Sequence, residues 1–365
     1  MGKNILEVCL SPDLGGLELF SVHCYDSFKT KGVCKIALAF EKKLDKYLVC
    51  DDKIYVERNK FFPFVPAFEL AKRIDENEID VVHFHWTRDI ATVVLAKLIS
   101  KRKPQIVQSR HMDMTRFKDD FYHRWLYENV SKIHAVTRQV KEQLIKYIPN
   151  SVRPDVELVY LGVKSKKELD LSEIRKKHDI KDGEFVVGIV GRIEEGKGQS
   201  IVIEAISKLK SSNVKLLIVG DGMGDDYLDK LHDSSAKYEI EKRVIFTGFT
   251  KEVDAYMQMC DVTVLATKNE TFGLVVIESM ANSTPVIATN RGGPLEIIDD
   301  MVDGLLYDGG VDDLAKKIEL LLHDEDLKSE LSLNSLRKVQ DKFDFNKQME
   351  KLYEMITRDS HEVEV

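Results

Sequence analysis

The sequence predicts an α/β protein built from two doubly wound domains, and three observations carry that expectation. The chain has 365 residues, 43% of them hydrophobic, enough for two cores at roughly 100–200 residues per domain. Short, β-branched apolar runs recur from end to end with amphipathic stretches between them. Those runs are near-continuous rather than alternating, which is how strands covered on both faces of a parallel sheet read.

Residues 5–10, 34–40, 81–85, 105–109, 132–137 and 156–162 supply six strands in the first half. Residues 185–191, 215–221, 244–249, 262–267, 285–289 and 304–308 supply six in the second. Helical patterns separate them, for example at 198–210, 225–237 and 310–322. The charged, strandless stretch 164–184 marks the boundary, so the first domain is placed at residues 1–165 and the second at 166–340. Residues 341–365 read as a last helix whose apolar stripe is Phe343, Phe345, Met349, Leu352, Tyr353 and Ile356.

A formal charge of −8 excludes a chain built to coat nucleic acid. Residues 101–150 run against that balance, with eleven Lys/Arg against five Asp/Glu. Arg110, Arg116, Lys118, Arg124, Lys132 and Arg138 are interleaved there with Phe117, Phe121, Tyr122, Trp125 and Tyr127, a pattern for an anionic membrane surface or for an ordinary solvated helix. Five cysteines with no CxxC pair suit a reducing cytosol. No run of about 18 apolar residues is present, so a soluble cytoplasmic protein is expected, peripheral at the inner membrane if the basic segment docks.

In open parallel sheets, ligands sit beyond the carboxyl ends of strands. Four motifs lie at such ends. GRIEEGKG (191–198) nearly matches a phosphate loop, but Gly198 replaces the hydroxyl residue that would hold Mg²⁺. What survives is a pair of cations, Arg192 and Lys197, suited to a diphosphate. ETFGLVVIE (270–278) places Glu270 in a loop and opens a helix near Phe272. The amides of Phe272, Gly273 and Leu274 would then face an anion, and Glu278 would lie deep enough to need strong donors such as ribose hydroxyls. Gly15 and Gly16 open a helix after the first strand, a turn that also needs glycine for purely steric reasons. His83, His85 and His111 close two strands, with no third ligand at a metal-like spacing. Gly220 to Gly224 imitates a dinucleotide turn but sits mid-chain with the wrong spacing.

Taken in order, the Gly15–Glu18 turn, Gly191-Arg192 with Lys197-Gly198, and Glu270 and Glu278 flanking Phe272-Gly273-Leu274 resemble the retaining glycosyltransferases of family 4. The resemblance runs through the whole chain and implies the GT-B architecture, two Rossmann-like domains facing a central cleft. It implies that Arg192 and Lys197 neutralise the donor diphosphate, that Glu278 holds the ribose, and that Glu270 holds the transferred sugar. Phe246 and Gly248 would border the base, Gly15 and Gly16 a phosphate or the acceptor, and His111 would be the polar histidine of the acceptor-binding domain. The donor implied is a nucleotide diphosphate sugar, a UDP-sugar by family frequency, and the acceptor a glycan or lipid-linked glycan of surface polysaccharide or lipopolysaccharide assembly. No cofactor and no metal are expected, because no metal-ligand motif follows a strand. The last helix is expected to return to the first domain. A nucleotide-sugar epimerase of the same fold and a P-loop-like nucleotide-binding protein are the alternatives.

Overall fold

In the computed structural model, residues 2–57, 62–222 and 225–359 are described. The chain divides into two compact units, Met1–Tyr160 with Lys347–Val365, and Leu161–Asn346.

The first unit winds as β1 (Ile5–Cys9), α1 (Gly16–Phe28), β2 (Cys34–Leu38), α2 (Lys43–Tyr47), β3 (Lys53–Tyr55), α3 (Phe64–Glu76), β4 (Val81–Phe84), α4 (Ile90–Ile99), β5 (Gln105–Arg110), α5 (Phe121–Glu128), β6 (Lys132–Ala135), α6 (Arg138–Tyr147) and β7 (Asp155–Leu158). Its seven strands lie in the order β3-β2-β1-β4-β5-β6-β7 and every adjacent pair is parallel. All five residues of β1 are buried, as a central strand covered by helices on both faces requires. β3 has no counterpart among the expected strands: it is a three-residue edge strand with Lys53 at its start, too short and polar to register as an apolar run.

The second unit continues with α7 (Ser172–Lys177), β8 (Phe185–Val190), α8 (Gln199–Lys208), β9 (Val214–Val219), α9 (Asp225–Lys237), β10 (Val244–Gly248), α10 (Val253–Met259), β11 (Val262–Leu265), α11 (Leu274–Ala281), β12 (Val286–Thr289), α12 (Pro294–Ile297), β13 (Leu305–Tyr307), α13 (Val311–His323) and α14 (Glu325–Lys342). Its sheet order is β10-β9-β8-β11-β12-β13. Sequential strands first add on one side of β8 and then, after a reversal, on the side of β11. The gap between β8 and β11 is therefore the topological switch point, where the two flanking loops splay apart and leave a crevice. In the first sheet the same reversal falls between β1 and β4.

A last helix, α15 (Phe345–Thr357), starts in the second unit, and its body from Lys347 belongs to the first. The expected apolar stripe is thus shared: Phe343 and Phe345 are buried in the second unit, whereas Met349, Leu352 and Ile356 are buried in the first. Lys132 of β6 donates to the carbonyls of Met355 (2.8 Å) and Arg358 (2.7 Å) at the end of α15. No described helix is long and apolar enough to cross a membrane.

Candidate functional site

The loops after β8 and β11 bring Lys197 and Glu270 together at the switch point of the second sheet. Lys197 ends a short 3₁₀ turn, and its Nζ lies 3.6 Å from Oε2 of Glu270. Arg192 follows Gly191 directly after β8, with its guanidinium 3.5 Å from Glu194 and more than half exposed. Both cations keep exposed surface beside an acidic neighbour. Gly198 explains its own identity: its φ is +79°, and a Cβ there would come within 2.5 Å of the Ala266 carbonyl oxygen. The position that would carry the Mg²⁺ hydroxyl in a phosphate loop is instead pressed against the end of β11.

The opening of α11 differs from the sequence expectation. The helix begins at Leu274, not Phe272, and Gly273 caps it in the left-handed region (φ 98°, ψ 56°). Only a glycine adopts that conformation cheaply. Phe272 is buried and meets Phe343 at 6.2 Å between ring centroids, so its side chain anchors the loop rather than lining the crevice. The loop is braced from behind, where Gly293 N–H donates to the Glu270 carbonyl at 2.8 Å. A side chain at Gly292 or Gly293 would strike the backbone of Glu270 or Phe272.

Glu278 lies one turn into α11 and is half-buried. Burial raises its carboxyl pKa, with Lys166 opposing the shift and Asp254 adding to it. No hydrogen bond or ion pair to its carboxylate is found among the described residues. A carboxylate partly withdrawn from water and unpartnered is an acceptor waiting for donors, as a pair of ribose hydroxyls would be. Phe246 is half-buried, and its ring lies 4.2 Å from that of His232, tilted by 39°. The strand bulges between Phe246 and Gly248, which has φ +70°. Of the dinucleotide-like turn, Met223 and Gly224 lie outside the described residues.

Several supporting residues carry no signal in the sequence. Gln199 donates to the Arg192 carbonyl at 2.9 Å and fixes the course of that loop. Lys166, Asp254 and Asn282 form a hydrogen-bonded group whose charges bear on Glu278, with Asn282 also donating to the Glu278 carbonyl. No local pattern could have revealed these; they depend on which helices the sheet brings side by side.

In the first unit, Gly15 is the N-cap of α1 in an extended conformation, and Gly16 is the first helical residue. His111 follows β5, and its ring centroid is 5.0 Å from that of Phe20. Its Nε2 is shielded from solvent without a partner, and burial pushes its pKa well down, helped by His85, His134, His83 and Arg110, so it is neutral at pH 7. Arg110 belongs to the interior: it donates to the carbonyls of Met112 (2.7 Å) and Asp113 (2.8 Å) and to Thr87 Oγ1 (2.9 Å), fixing the loop that carries His111. His83 and His85 are fully buried and meet Glu7, with which Cys24 completes a set of possible metal donors within 4.8 Å of one another. His85 Nε2 is 2.6 Å and His83 Nδ1 3.0 Å from the same Glu7 oxygen. Those are hydrogen-bond separations, shorter than the ~3.3 Å between two ligands of one tetrahedral zinc with bonds of about 2.0–2.1 Å. Geometrically, a metal does not fit this cluster as it stands.

Two parallel doubly wound sheets, with a basic loop and a carboxylate loop at one switch point, define the GT-B fold. A family model for glycosyltransferase family 4 matches residues 41–167, and one for glycosyl transferases group 1 matches residues 170–338. The chain belongs to this family and is a glycosyltransferase. An uncharacterized glycosyltransferase of Methanocaldococcus jannaschii, MJ1607, is 29% identical over 303 residues, covering 77% of this chain and 76% of the relative. The capsular polysaccharide biosynthesis glycosyltransferase CapM of Staphylococcus aureus is 27% identical, covering 73% and 74%. The crystal structure of Anabaena Alr3699/HepE in complex with UDP-glucose superposes with a TM-score of 0.82 at 22% identity, covering 97% of this chain and 99% of that one.

Proposed function

We propose that the protein transfers a sugar from a nucleotide diphosphate sugar, UDP-linked in preference, to a glycan or lipid-linked glycan of a bacterial surface polysaccharide or lipopolysaccharide, retaining the anomeric configuration and using no metal. The observation that carries this reading is the approach of Lys197 to Glu270 across the β8–β11 switch point, beside the glycine-capped start of α11. The UDP-glucose complex of the Anabaena fold relative and the capsular role of the Staphylococcus relative support the donor and acceptor classes.

In this reading the diphosphate enters between Arg192 and Lys197 and the first-turn amides of α11, where the helix dipole favours an anion. Lys197 then exchanges its contact with Glu270 for the phosphate, and Glu270 is released to accept from hydroxyls of the transferred sugar. Glu278 accepts from the ribose, and Phe246 and Gly248 border the base. As the bond from the anomeric carbon to the leaving phosphate oxygen breaks, the charge left on the diphosphate is met by fixed cations, the electrostatic contribution that is usually largest. The acceptor hydroxyl attacks the same face, and its proton passes to a donor phosphate oxygen. Gly15, Gly16 and neutral His111, at the carboxyl edge of the first sheet, are assigned to the acceptor.

The test is slow donor hydrolysis, measured across UDP-, GDP- and ADP-sugars with and without EDTA. One nucleotide sugar should be hydrolysed with the chelator present. Lys197→Ala and Arg192→Ala should each lower that rate about 10²–10³-fold, as loss of one preorganised donor does. Wild-type turnover in Lys197→Ala at saturating donor, or activity restored only by Mg²⁺, would sink the assignment. Release of an epimerised sugar without acceptor would favour the epimerase instead.

A further inference from the structure

Beneath the switch point of the first sheet runs a continuous buried array of hydrogen-bonding side chains. Glu7 of β1 pairs in register with His83 of β4, and Ser109 of β5 with His134 of β6. Their side chains connect in one line: Glu7 to His83 Nδ1 (3.1 Å to Oε1), His83 Nε2 to Ser109 Oγ (2.8 Å), Ser109 Oγ to His134 Nδ1 (2.7 Å), and His134 Nε2 to the Val159 carbonyl (2.7 Å). Each of these four side chains is fully buried.

The far end of the line fixes its proton count. A carbonyl only accepts, so His134 Nε2 carries a hydrogen. Ser109 has one hydroxyl hydrogen and two imidazole nitrogens to satisfy. If it donates to His134 Nδ1, then His83 Nε2 must donate to it, and a neutral His83 would turn a bare Nδ1 lone pair toward the Glu7 carboxylate. Two acceptors cannot face each other at that distance in a core. If the hydroxyl turns the other way, His134 must carry hydrogens on both nitrogens. Either way one proton is needed beyond neutral imidazoles and an ionised carboxylate.

We propose that Glu7, His83, Ser109 and His134 hold one buried labile proton, making the array net neutral and the first domain a proton-binding device. The groups that face it are consistent with this. His85 donates to Glu7 through Nε2 and keeps an unpartnered Nδ1. Burial holds the His85 pKa down to about 4 and the His134 pKa down to about 3. Burial alone would raise the Glu7 carboxyl pKa, but the His83 charge and the hydrogen bonds from both histidines bring it below the usual value. Buried Cys24 and Cys34 are pushed up and stay neutral thiols, and His111 is pushed down.

Unfolded, Glu7 and His83 would release this proton above about pH 6.5. The folded state then binds one proton more than the unfolded state, so stability falls as pH rises. His85, His111 and His134 act in the opposite sense. They are held neutral, so their contribution is present above about pH 6.5 and is lost as pH falls toward their depressed values.

Glu7→Gln separates the two limbs. The amide nitrogen can donate to a neutral His83 Nδ1 while the amide oxygen accepts from His85, so a covalent NH₂ replaces the labile proton. Both tryptophans of the chain, Trp86 and Trp125, lie in the first unit, so their fluorescence reports its unfolding alone. In the wild type the unfolding constant should rise about tenfold per pH unit from roughly pH 6.5 to 8. Glu7→Gln should lose that slope and keep the acid limb. An unchanged slope in Glu7→Gln overturns the proposal. If that variant does not fold, ¹⁵N imidazole and ¹³C carboxyl spectra of the wild type at pH 7.5 decide. One buried imidazolium or one protonated Glu7 supports it, and all-neutral imidazoles beside an ionised carboxylate overturn it. Stoichiometric zinc in the purified chain also overturns it, because the cation would then be a metal.

Discussion

In the proposed function, Glu278 trades stability for binding. Burial raises its folded pKa above the ordinary value of 4.5, so the ionised form carries a desolvation cost in the fold. A raised carboxyl stabilises the fold while protonated, below about pH 4.5, and that contribution is lost as pH climbs through the raised value. Glu278→Gln should accordingly melt higher than the wild type at pH 8 and close to it at pH 4. The same variant should bind nucleotide diphosphate more weakly, since an amide is a poorer acceptor for ribose hydroxyls than a carboxylate. Thermal unfolding at the two pH values, with titration calorimetry of UDP, checks both halves. A lower melting temperature at pH 8 would show that the carboxylate is satisfied within the fold and is not held for a ligand. Glu270 is a useful contrast: it already has Lys197 as a partner, 3.6 Å away, and the proposed function would have that partner surrendered to the donor.

Among the elements, α15 belongs to the first unit from Lys347 onward. Its carboxyl end is met by the Lys132 ammonium, a cation on the favourable end of a helix dipole and a donor to two carbonyls at once. Met349, Leu352, Met355 and Ile356 are buried beside it. Removing residues 347–365 should therefore lower the midpoint of the tryptophan-detected transition, and Lys132→Met should do so by on the order of 1–3 kcal/mol for each carbonyl left unpaired. An unchanged midpoint in both would refute the docking. Elements of this kind were only partly legible in the sequence. Long apolar runs such as residues 185–191 and 262–267 announced their strands because burial on both faces leaves no polar alternation. The edge strand Lys53–Tyr55 did not, because it borders solvent and is only three residues long. The start of α11 was misplaced by two residues, since a left-handed glycine cap is a matter of backbone angle and not of apolar pattern. Lys197 and Glu270 could be named from their motifs, but their approach follows from strand order. The Glu7–His83 pairing follows from strand register, which no single segment contains.

For the whole molecule, the fold redistributes the charge and aromatic content that the sequence grouped in residues 101–150. Arg110, Lys132 and Tyr127 are buried and unavailable to any surface, and Trp125 packs partly against the core. Phe117, Phe121 and Tyr122 remain exposed, Phe121 at 88%, with Arg116 exposed beside them. A second apolar group lies outside residues 101–150: Phe62, Phe64, Val65 and Phe68 are all exposed at the start of α3, whose opposite side buries Ala67, Leu70 and Ile74. Phe64, Phe68 and Lys72 share one flank at helical spacing, so two aromatic rings are followed by a lysine whose side chain is 70% exposed. That sequence of groups suits an interface with apolar chains below and anionic headgroups above, each cation contributing about 1 kcal/mol near such a surface. If the acceptor is lipid-linked, the protein should sediment with anionic vesicles at low salt and be released as salt rises through physiological ionic strength. Replacing Phe64, Val65 and Phe68 by serine should abolish sedimentation while leaving donor hydrolysis intact, and Arg116→Ala with Phe121→Ser should weaken it. Should the wild-type protein stay in the supernatant with anionic vesicles, a soluble acceptor follows, and the exposed aromatics need another partner. Should it sediment and both variants bind equally well, the contact lies on a different surface.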